Sequence, residues 1–587
     1  MANERNTASN QSIAEMLRQI GAYLAMQQVP FKPRAYERAA GTVEGLEESI
    51  AASYQAGGRN ALMEIPGIGA GIAEKIAEFL DTGKVKEYEA LKKKIPVRLD
   101  ELARVEGLGP KSVQRLYKEL GIRNLKELEA AARAGKIAAL AGFGKKSEEK
   151  IMKGIAFAKG SGQRFVLGLV MPRVREIEAA LAAAPGVERV VVAGSARRRK
   201  ETIGDIDILA VSPRPAAIMD AFVSLPGVMH VIAHGETKSS IKIRPGINVD
   251  LRVVPKESYG AALNYFTGSK DHNVAIRQIA VKKGMKLNEY GLFKLGTPGK
   301  PDAERKIAGA DEREIYRLLG MEWPEPELRE NAGEVQAALA HALPKLIGYG
   351  DLAGDLQVQT NWTDGSDSIE TMARAAMARG LSYIAVTDHT KRLAMAHGLD
   401  AVRIRQQWKE IDAVNKKLKG RFTVLKGTEC DILKDGTLDL PDEVLAKLDV
   451  VGVSVHSFFN LSKKEQTARV LRAMANPHVD ILFHPTGRIL NRRPPIELDM
   501  DEVIAAAART GTVLEIDAYP DRSDLKDEYI RMCVAAGVRM AIDSDAHAPM
   551  HFSYLEYGIA QARRGWAAKA DIVNTRSLEK MRACLKK

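Results

Sequence analysis

Six short apolar runs in the second half of the chain, each separated from the next by a helical stretch, restrict the fold more than any other feature. They are Tyr383-Ile-Ala-Val386, Phe422-Thr-Val-Leu425, Val450-Val-Gly-Val453, Ile481-Leu-Phe483, Val513-Leu-Glu-Ile516 and Arg539-Met-Ala-Ile542. Strands this uniformly apolar must be covered on both faces, and helices between them supply that cover in a parallel sheet. Beyond about residue 346 the expectation is a β/α barrel carrying its functional groups at the C-terminal ends of the strands.

The front of the chain follows a different rhythm. Residues 11–160 read as successive helices, with apolar side chains at helical spacing as in Ile13, Leu17, Ile20 and Leu24. Three Gly-rich breaks resemble one another: Ile65-Pro-Gly67-Ile-Gly69, Val105-Glu-Gly107-Leu-Gly109 and Leu140-Ala-Gly142-Phe-Gly144. Each fits a helix-hairpin-helix turn, in which glycine lets backbone N–H groups meet a phosphate at a helix N-terminus. Such contacts hold a duplex in place without reading its bases. Charge agrees. Residues 1–160 carry 26 basic and 20 acidic side chains, residues 161–322 carry 25 and 18, and residues 323–587 carry 36 and 37. The surplus of cations sits where a polyanion is expected.

From 161 to 258 the pattern is mixed α/β. Asp205 and Asp207 stand two apart on a strand, so both carboxylates leave one face while Ile206 and Ile208 face the core. Asp250, in Asn248-Val-Asp-Leu-Arg-Val-Val254, belongs to a strand able to pair alongside. Three such carboxylates suit two divalent ions about 4 Å apart and in-line phosphoryl transfer. Upstream, Gly194-Ser195 ends a strand and precedes Arg197 and Arg198, a turn that suits a triphosphate. Residues 259–322 read as shorter helical and turn segments, and Pro324, Pro326 and neighbouring polar residues read as a linker.

Gly194-Ser-Ala-Arg-Arg-Arg-Lys-Glu-Thr-Ile-Gly204-Asp-Ile-Asp-Ile208 resembles the nucleotidyltransferase signature of the family X DNA polymerases, and Tyr265-Phe266-Thr-Gly268-Ser269 resembles that family's nucleotide-binding turn. The resemblance covers about residues 10–322. It implies catalytic Mg²⁺ or Mn²⁺ on Asp205, Asp207 and Asp250, with Asp250 also helping to activate the primer 3′-hydroxyl. It further implies a triphosphate on Ser195 and Arg198 within the Gly194 to Gly204 signature. Tyr265, Phe266 and Gly268 would line the sugar, Asn273 would touch the base, and Arg277 the template. In the small N-terminal domain the family's Schiff-base lysine falls on Lys75, with Lys32, Tyr36 and Arg38 where relatives bind a 5′-phosphate. A lysine amine of lowered pKa can attack the aldehyde of an abasic sugar. Phe31, Glu37 and Gly71 depart from the polar or basic residues of relatives, which leaves this lyase open beside a phosphate-binding role for Lys75.

The rear half resembles the C-terminal PHP domain of bacterial family X polymerases, a distorted barrel with a trinuclear metal site. Matching motifs places ligands at Asp364, His389, Glu429, His456, His484, Asp545 and His547. Imidazoles and carboxylates in this mixture suit manganese, zinc or iron and the activation of water against a phosphodiester. One motif departs. The family's Asp-Leu-His-x-His reads Asp355-Leu-Gln357-Val-Gln359 here. By analogy those positions share one ion with Glu429 and Asp545, so the expectation is fewer than three ions and a 3′–5′ exonuclease weakened or lost.

The domain order expected is a helical lyase-like unit (1–85), a second helical DNA-binding unit (86–160), a palm (161–258), a thumb-like unit (259–322), a linker (323–345) and the PHP barrel (346–587). The expected partners are gapped or primed duplex DNA and deoxynucleoside triphosphates, handled by a monomer. Two other readings compete: a phosphoesterase that borrows a DNA-binding front, and a non-enzymatic binder of DNA ends. Three scattered cysteines, Cys430, Cys533 and Cys584, exclude a disulfide framework. With no apolar run of 18 residues and no leader pattern, the expectation is a cytoplasmic, nucleoid-associated protein without membrane contact.

Overall fold

The computed structural model describes residues 10–44, 46, 50–65, 67–103, 105, 108–140, 142–160, 164–296 and 304–586. Gly107 of the second hairpin lies outside them. No helix of the described residues is long and apolar enough to cross a membrane.

The helical front forms because its apolar stripes repeat every three to four residues and close on one another. Ile13, Leu17 and Ile20 of helix Asn10–Met26 are fully buried, and one continuous core runs from there to Ile155. The three Gly breaks fold alike. Ile68 N–H donates to the Ile65 carbonyl at 3.1 Å, Leu108 to Val105 at 3.1 Å, and Phe143 to Leu140 at 3.0 Å. A helix then starts directly after Gly69, Gly109 and Gly144. Gly67 and Gly142 sit at φ +81° and +83°, a conformation that excludes most other residues.

The palm is a five-stranded sheet in the order Arg189–Val192, Asp205–Val211, Ile247–Val253, Lys238–Ile243 and Val228–His234. The second and third strands run parallel, with Asp207 directly beside Asp250. Ile206 and Ile208 are fully buried under helices Leu167–Ala182 and Pro215–Val223. Beyond residue 259 the expected helical and turn segments prove incomplete. Met285–Asn288, Gly291–Leu295 and Glu304–Ala308 pair into a three-stranded antiparallel sheet beside helices Tyr259–Thr267 and Lys270–Lys282.

Residues 323–345, expected as a linker, join the two halves as a packed segment instead of a loose one. Arg329 and Glu334 are fully buried within it, and Glu327 is nearly so. Their partners are distant in sequence, which is why local composition suggested a loose connection.

The rear half is a seven-stranded, all-parallel sheet whose strands neighbour one another in chain order, from Gly354–Val358 to Met540–Asp543. A parallel bridge between Val358 and Ala546 brings the first strand against the last and nearly closes the barrel. The extra strand, Gly354–Val358, is the one that carries Gln357. The barrel packs directly on the palm: Arg488 makes a bidentate pair with Glu201 (2.6 and 3.2 Å), Asn491 donates to the Arg164 carbonyl, and Tyr557 joins the palm core.

Candidate active sites in the palm and the barrel

Strand pairing places Asp205, Asp207 and Asp250 on neighbouring strands. Burial, then the charges of Asp205 and Asp250, push the Asp207 carboxyl up to about 6. Such crowding of carboxylates is relieved by a cation, so these residues fit divalent ions. Asp250 already meets Lys238 Nζ at 3.1 Å and accepts from Ser240 Oγ at 2.7 Å. Among the described residues, the groups of side chains whose ligand atoms all lie within 4.8 Å of one another are both in the barrel; the palm triad is not that tightly drawn together. Gly194, at φ +61°, lets the chain turn against the triad: a Cβ there would lie 2.4 Å from Asp207 Oδ2.

The arginines after that turn are fixed by residues that sequence reasoning passed over. Arg197 pairs with Glu312 through two 2.9 Å bonds, and Glu312 also pairs with the buried Arg329 at 2.6 Å and accepts from Trp323 Nε1. Burial opposes the charge on Glu312, but Arg329 and Arg197 outweigh it and hold the carboxyl well below its usual range. Arg198 pairs with Glu330 at 3.0 Å and donates to the Thr267 carbonyl. Ser195 stands half-buried one turn upstream, and Gly204 leads directly into the aspartate strand.

Thr267 closes the helix that bears Tyr265 and Phe266, whose rings meet edge to face at 5.1 Å. Gly268 follows at φ +70°, and a Cβ there would lie 3.1 Å from Arg198 Nη1, so the turn and the arginine are in contact. Asn273 donates to the Tyr265 carbonyl at 2.7 Å, and Arg277 donates to the Asn273 carbonyl at 3.1 Å. His272, fully buried between Glu334 (2.6 Å) and the Tyr316 hydroxyl (2.8 Å), anchors this helix start. Asp205, Asp207 and Asp250 thus share one sheet, and Arg198 touches the turn at Thr267 and Gly268.

In the N-terminal domain Lys75 Nζ lies 3.3 Å from Glu87 and 3.9 Å from Glu74. Two carboxylates therefore stand beside its amine. Burial, then Glu87 and Glu74, push the Tyr36 hydroxyl up to about 12. Lys32 and Arg38 are exposed on the same helix. Between the second and third hairpins a notch of about 390 Å³ is lined by Lys111, Ser112, Arg115, Gly142, Ser147 and Lys150.

The barrel mouth gathers the expected ligands into two groups: Asp364, His389 and His547, and His389, Glu429 and His456. His484 Nε2 joins the second at 2.8 Å from Glu429. Burial opposes the charge on Glu429, but His389 and His456 outweigh it and hold the carboxyl well below its usual range. His389 Nδ1, Asp431 Oδ2 and Asp545 Oδ1 are buried without a hydrogen-bond partner, an arrangement that fits metal ions.

The ion position expected on residues 357 and 359 with Glu429 and Asp545, here the first position, is met otherwise. Gln359 Nε2 donates to Glu429 Oε2 at 2.9 Å, and the Gln357 side-chain amide lies against the Glu515 carboxyl group. Asp545 lies 3.5 Å from Arg522 Nε, which also meets Asp517 at 3.3 Å. Both glutamines are fully buried. An amide donor thus faces Glu429 and a guanidinium faces Asp545, the two carboxylates that this first ion would need.

Comparison with known proteins agrees with this layout. The chain matches a helix-hairpin-helix domain over residues 8–85, a SAM-like helix-hairpin-helix tandem over 99–156, and the DNA polymerase beta thumb over 262–330. It is 39% identical over 578 residues to the DNA polymerase/3′-5′ exonuclease PolX of Bacillus subtilis (strain 168), covering 98% of this chain and 99% of that protein. Rat DNA polymerase lambda is 26% identical over 358 residues, 56% of this chain and 58% of that protein. A probable phosphatase of Acetivibrio thermocellus is 30% identical over 188 residues, 31% of this chain and 73% of that protein.

Proposed function

The chain belongs to the family X DNA polymerases that carry a C-terminal PHP domain, and on that premise we propose that it fills short gaps in DNA by nucleotidyl transfer while its PHP exonuclease is weakened. The single observation behind the first part is the register of Asp207 beside Asp250, with Gly194 turning against them. Asp205, Asp207 and Asp250 would hold Mg²⁺ or Mn²⁺, which would supply Lewis acidity for attack by the 3′-hydroxyl and departure of pyrophosphate. Ser195 and Arg198 hold the triphosphate, Tyr265, Phe266 and Gly268 line the sugar, and Asn273 and Arg277 meet the nascent pair. Asp250, steadied by Ser240, orients the primer terminus. The hairpins grip the duplex through its phosphates and do not select sequence.

The second part rests on Gln359 donating to Glu429, which takes up a carboxylate oxygen the first ion would need. Asp364, His389, Glu429, His456, His484 and His547 remain able to hold Mn²⁺ or Zn²⁺ in two positions. An amide oxygen is a weaker ligand than imidazole for such ions.

Primer extension on a one-nucleotide gap tests the polymerase: wild type inserts, and Asp205→Ala abolishes insertion while DNA binding survives. Insertion that persists in that variant refutes the assignment. Mn²⁺-dependent 3′–5′ digestion tests the barrel, together with metal content per chain. Robust digestion with three ions in the wild type refutes the weakened-site reading, and a gain in Gln357→His/Gln359→His supports it.

A further inference from the structure

We propose that Arg564, a barrel residue, is a positioning residue for nucleotide insertion: it sets the triphosphate-binding Arg198 through Glu330. The inference rests on the polymerase reading above and adds to it a role for the C-terminal domain in the insertion step.

The contacts form one chain. Arg564 ends helix Leu555–Arg564 of the barrel half, and its side chain is only 3% exposed. Its Nη1 donates to the Arg198 main-chain carbonyl at 2.9 Å and to Glu330 Oε1 at 3.0 Å. Its Nη2 donates to Asp527 Oδ2 at 2.6 Å. The same Glu330 oxygen accepts from Arg198 Nε at 3.0 Å. One carboxylate oxygen is therefore shared between a guanidinium of the barrel and one of the palm. Lys200 adds a third cation, 3.8 Å from the other Glu330 oxygen.

Sharing has a physical consequence. Glu330 alone would draw Arg198 into a closed ion pair and compete with a triphosphate for it. Arg564 divides that carboxylate's charge, and its bond to the Arg198 carbonyl fixes the backbone from which the side chain extends. Arg198 Nη1 is meanwhile held by the Thr267 carbonyl in the nucleotide turn. Nε and Nη1 are thus engaged by protein, and among the described residues no hydrogen bond uses Nη2, the donor edge a phosphate needs. A guanidinium fixed in this way loses less freedom when the triphosphate binds.

The palm and barrel touch elsewhere as well, so simple docking must be separated from this relay. Arg175 pairs with Glu556 at 2.5 Å on the same interface, away from Arg198. Substituting it breaks a palm–barrel bridge and leaves the relay whole.

The test is single-nucleotide insertion by the full chain on gapped DNA, with deoxynucleoside triphosphate concentration varied and DNA affinity measured in parallel. Arg564→Met is expected to raise KM for the triphosphate about ten-fold, with kcat changed less than about three-fold and DNA affinity unchanged. Arg564→Lys recovers part of the loss. Asp527→Asn, which loosens the far end of Arg564 at a site a quarter exposed, raises KM in the same direction and carries the test if Arg564→Met does not fold. Asp527→Asn/Arg564→Met is no worse than Arg564→Met alone, because both act through one group. Arg175→Met leaves KM at the wild-type value. The inference is overturned if KM is unchanged in folded Arg564→Met and Asp527→Asn, if Arg175→Met raises it equally, or if the double variant is fully additive. A wild-type protein that inserts no nucleotide overturns the polymerase reading itself, and the relay with it.

Discussion

Replacing Gly194 by alanine probes the palm at its tightest point. The new methyl carbon would sit 2.4 Å from Asp207 Oδ2, inside any real contact, and 3.3 Å from its Cγ. Restoring 3.0–3.4 Å requires the carboxylate to retreat by about 0.6–1.0 Å. The backbone cannot absorb that, because Asp207 is framed by the fully buried Ile206 and Ile208 and paired across the ladder to Asp250. The side chain must rotate away from the cation position proposed between Asp207 and Asp250. Gly194 also sits at φ +61°, where an L-residue costs about 1–2 kcal/mol. The expected outcome is a folded protein, its melting temperature lowered by about 2–4 °C per kcal/mol. Insertion should fall about a hundred-fold, the usual consequence of misplacing a catalytic group by about 1 Å. Single-turnover insertion at saturating triphosphate measures this, with Gly41→Ala as a control because no atom lies within 4 Å of its added Cβ. A Gly194→Ala protein whose insertion rate stays within about three-fold of wild type would refute the steric reasoning.

Two further outcomes follow from the same structure. Glu327 is buried and Glu330 and Asp527 are half-buried, which alone would raise their pKa values, but Arg563 and Arg564 outweigh burial and lower them. Their contribution to holding the barrel on the palm is fully present above the ordinary carboxyl values, 4.5 for glutamate and 3.8 for aspartate, and is lost as pH falls below them. Limited proteolysis between palm and barrel should accelerate only on that acid side; a cleavage rate unchanged from neutral pH to well below 3.8 would contradict this sign. In the hairpin notch, Lys111→Ala/Lys150→Ala should weaken DNA binding equally for unrelated sequences and reduce the salt slope by about two. A change in sequence preference would point to base contacts instead.

Features that depend on short-range pattern were legible in the sequence. The three hairpins repeat because a Gly-x-Gly turn and a following helix start are local, and all three show the same turn hydrogen bond. The aspartate strand was legible because alternation forces Asp205 and Asp207 outward. Six of the seven barrel strands announced themselves as apolar runs. Gly354–Val358 did not, since Asp355 and Gln357 interrupt it, and both are fully buried against polar partners distant in sequence, Ser544 and Glu515. The same cause hid the packing of residues 323–345. Arg329 answers Glu312, Glu334 answers His272, and Glu327 answers Arg563, which is 236 residues away. A buried charge reads as surface until its partner is known, and no local window contains these partners.

The glutamine pair now has a physical setting that bears on its own rescue experiment. Restoring histidine at 357 and 359 returns two imidazoles but does not remove Arg522, whose Nε lies 3.3 Å from Asp517 and 3.5 Å from Asp545. An ion entering the first position must compete with that guanidinium for Asp545, as well as replace the amide bond to Glu429. If the double variant regains only part of its metal, Arg522 is the residue that limits it, and Gln357→His/Gln359→His/Arg522→Gln should bind more. None of these residues supplies Arg488, Arg563 or Arg564, the cations that pair with Glu201, Glu327 and Glu330. The barrel's hold on the polymerase body and its metal chemistry therefore draw on different side chains. A chain can lose an ion from the second while keeping the first intact.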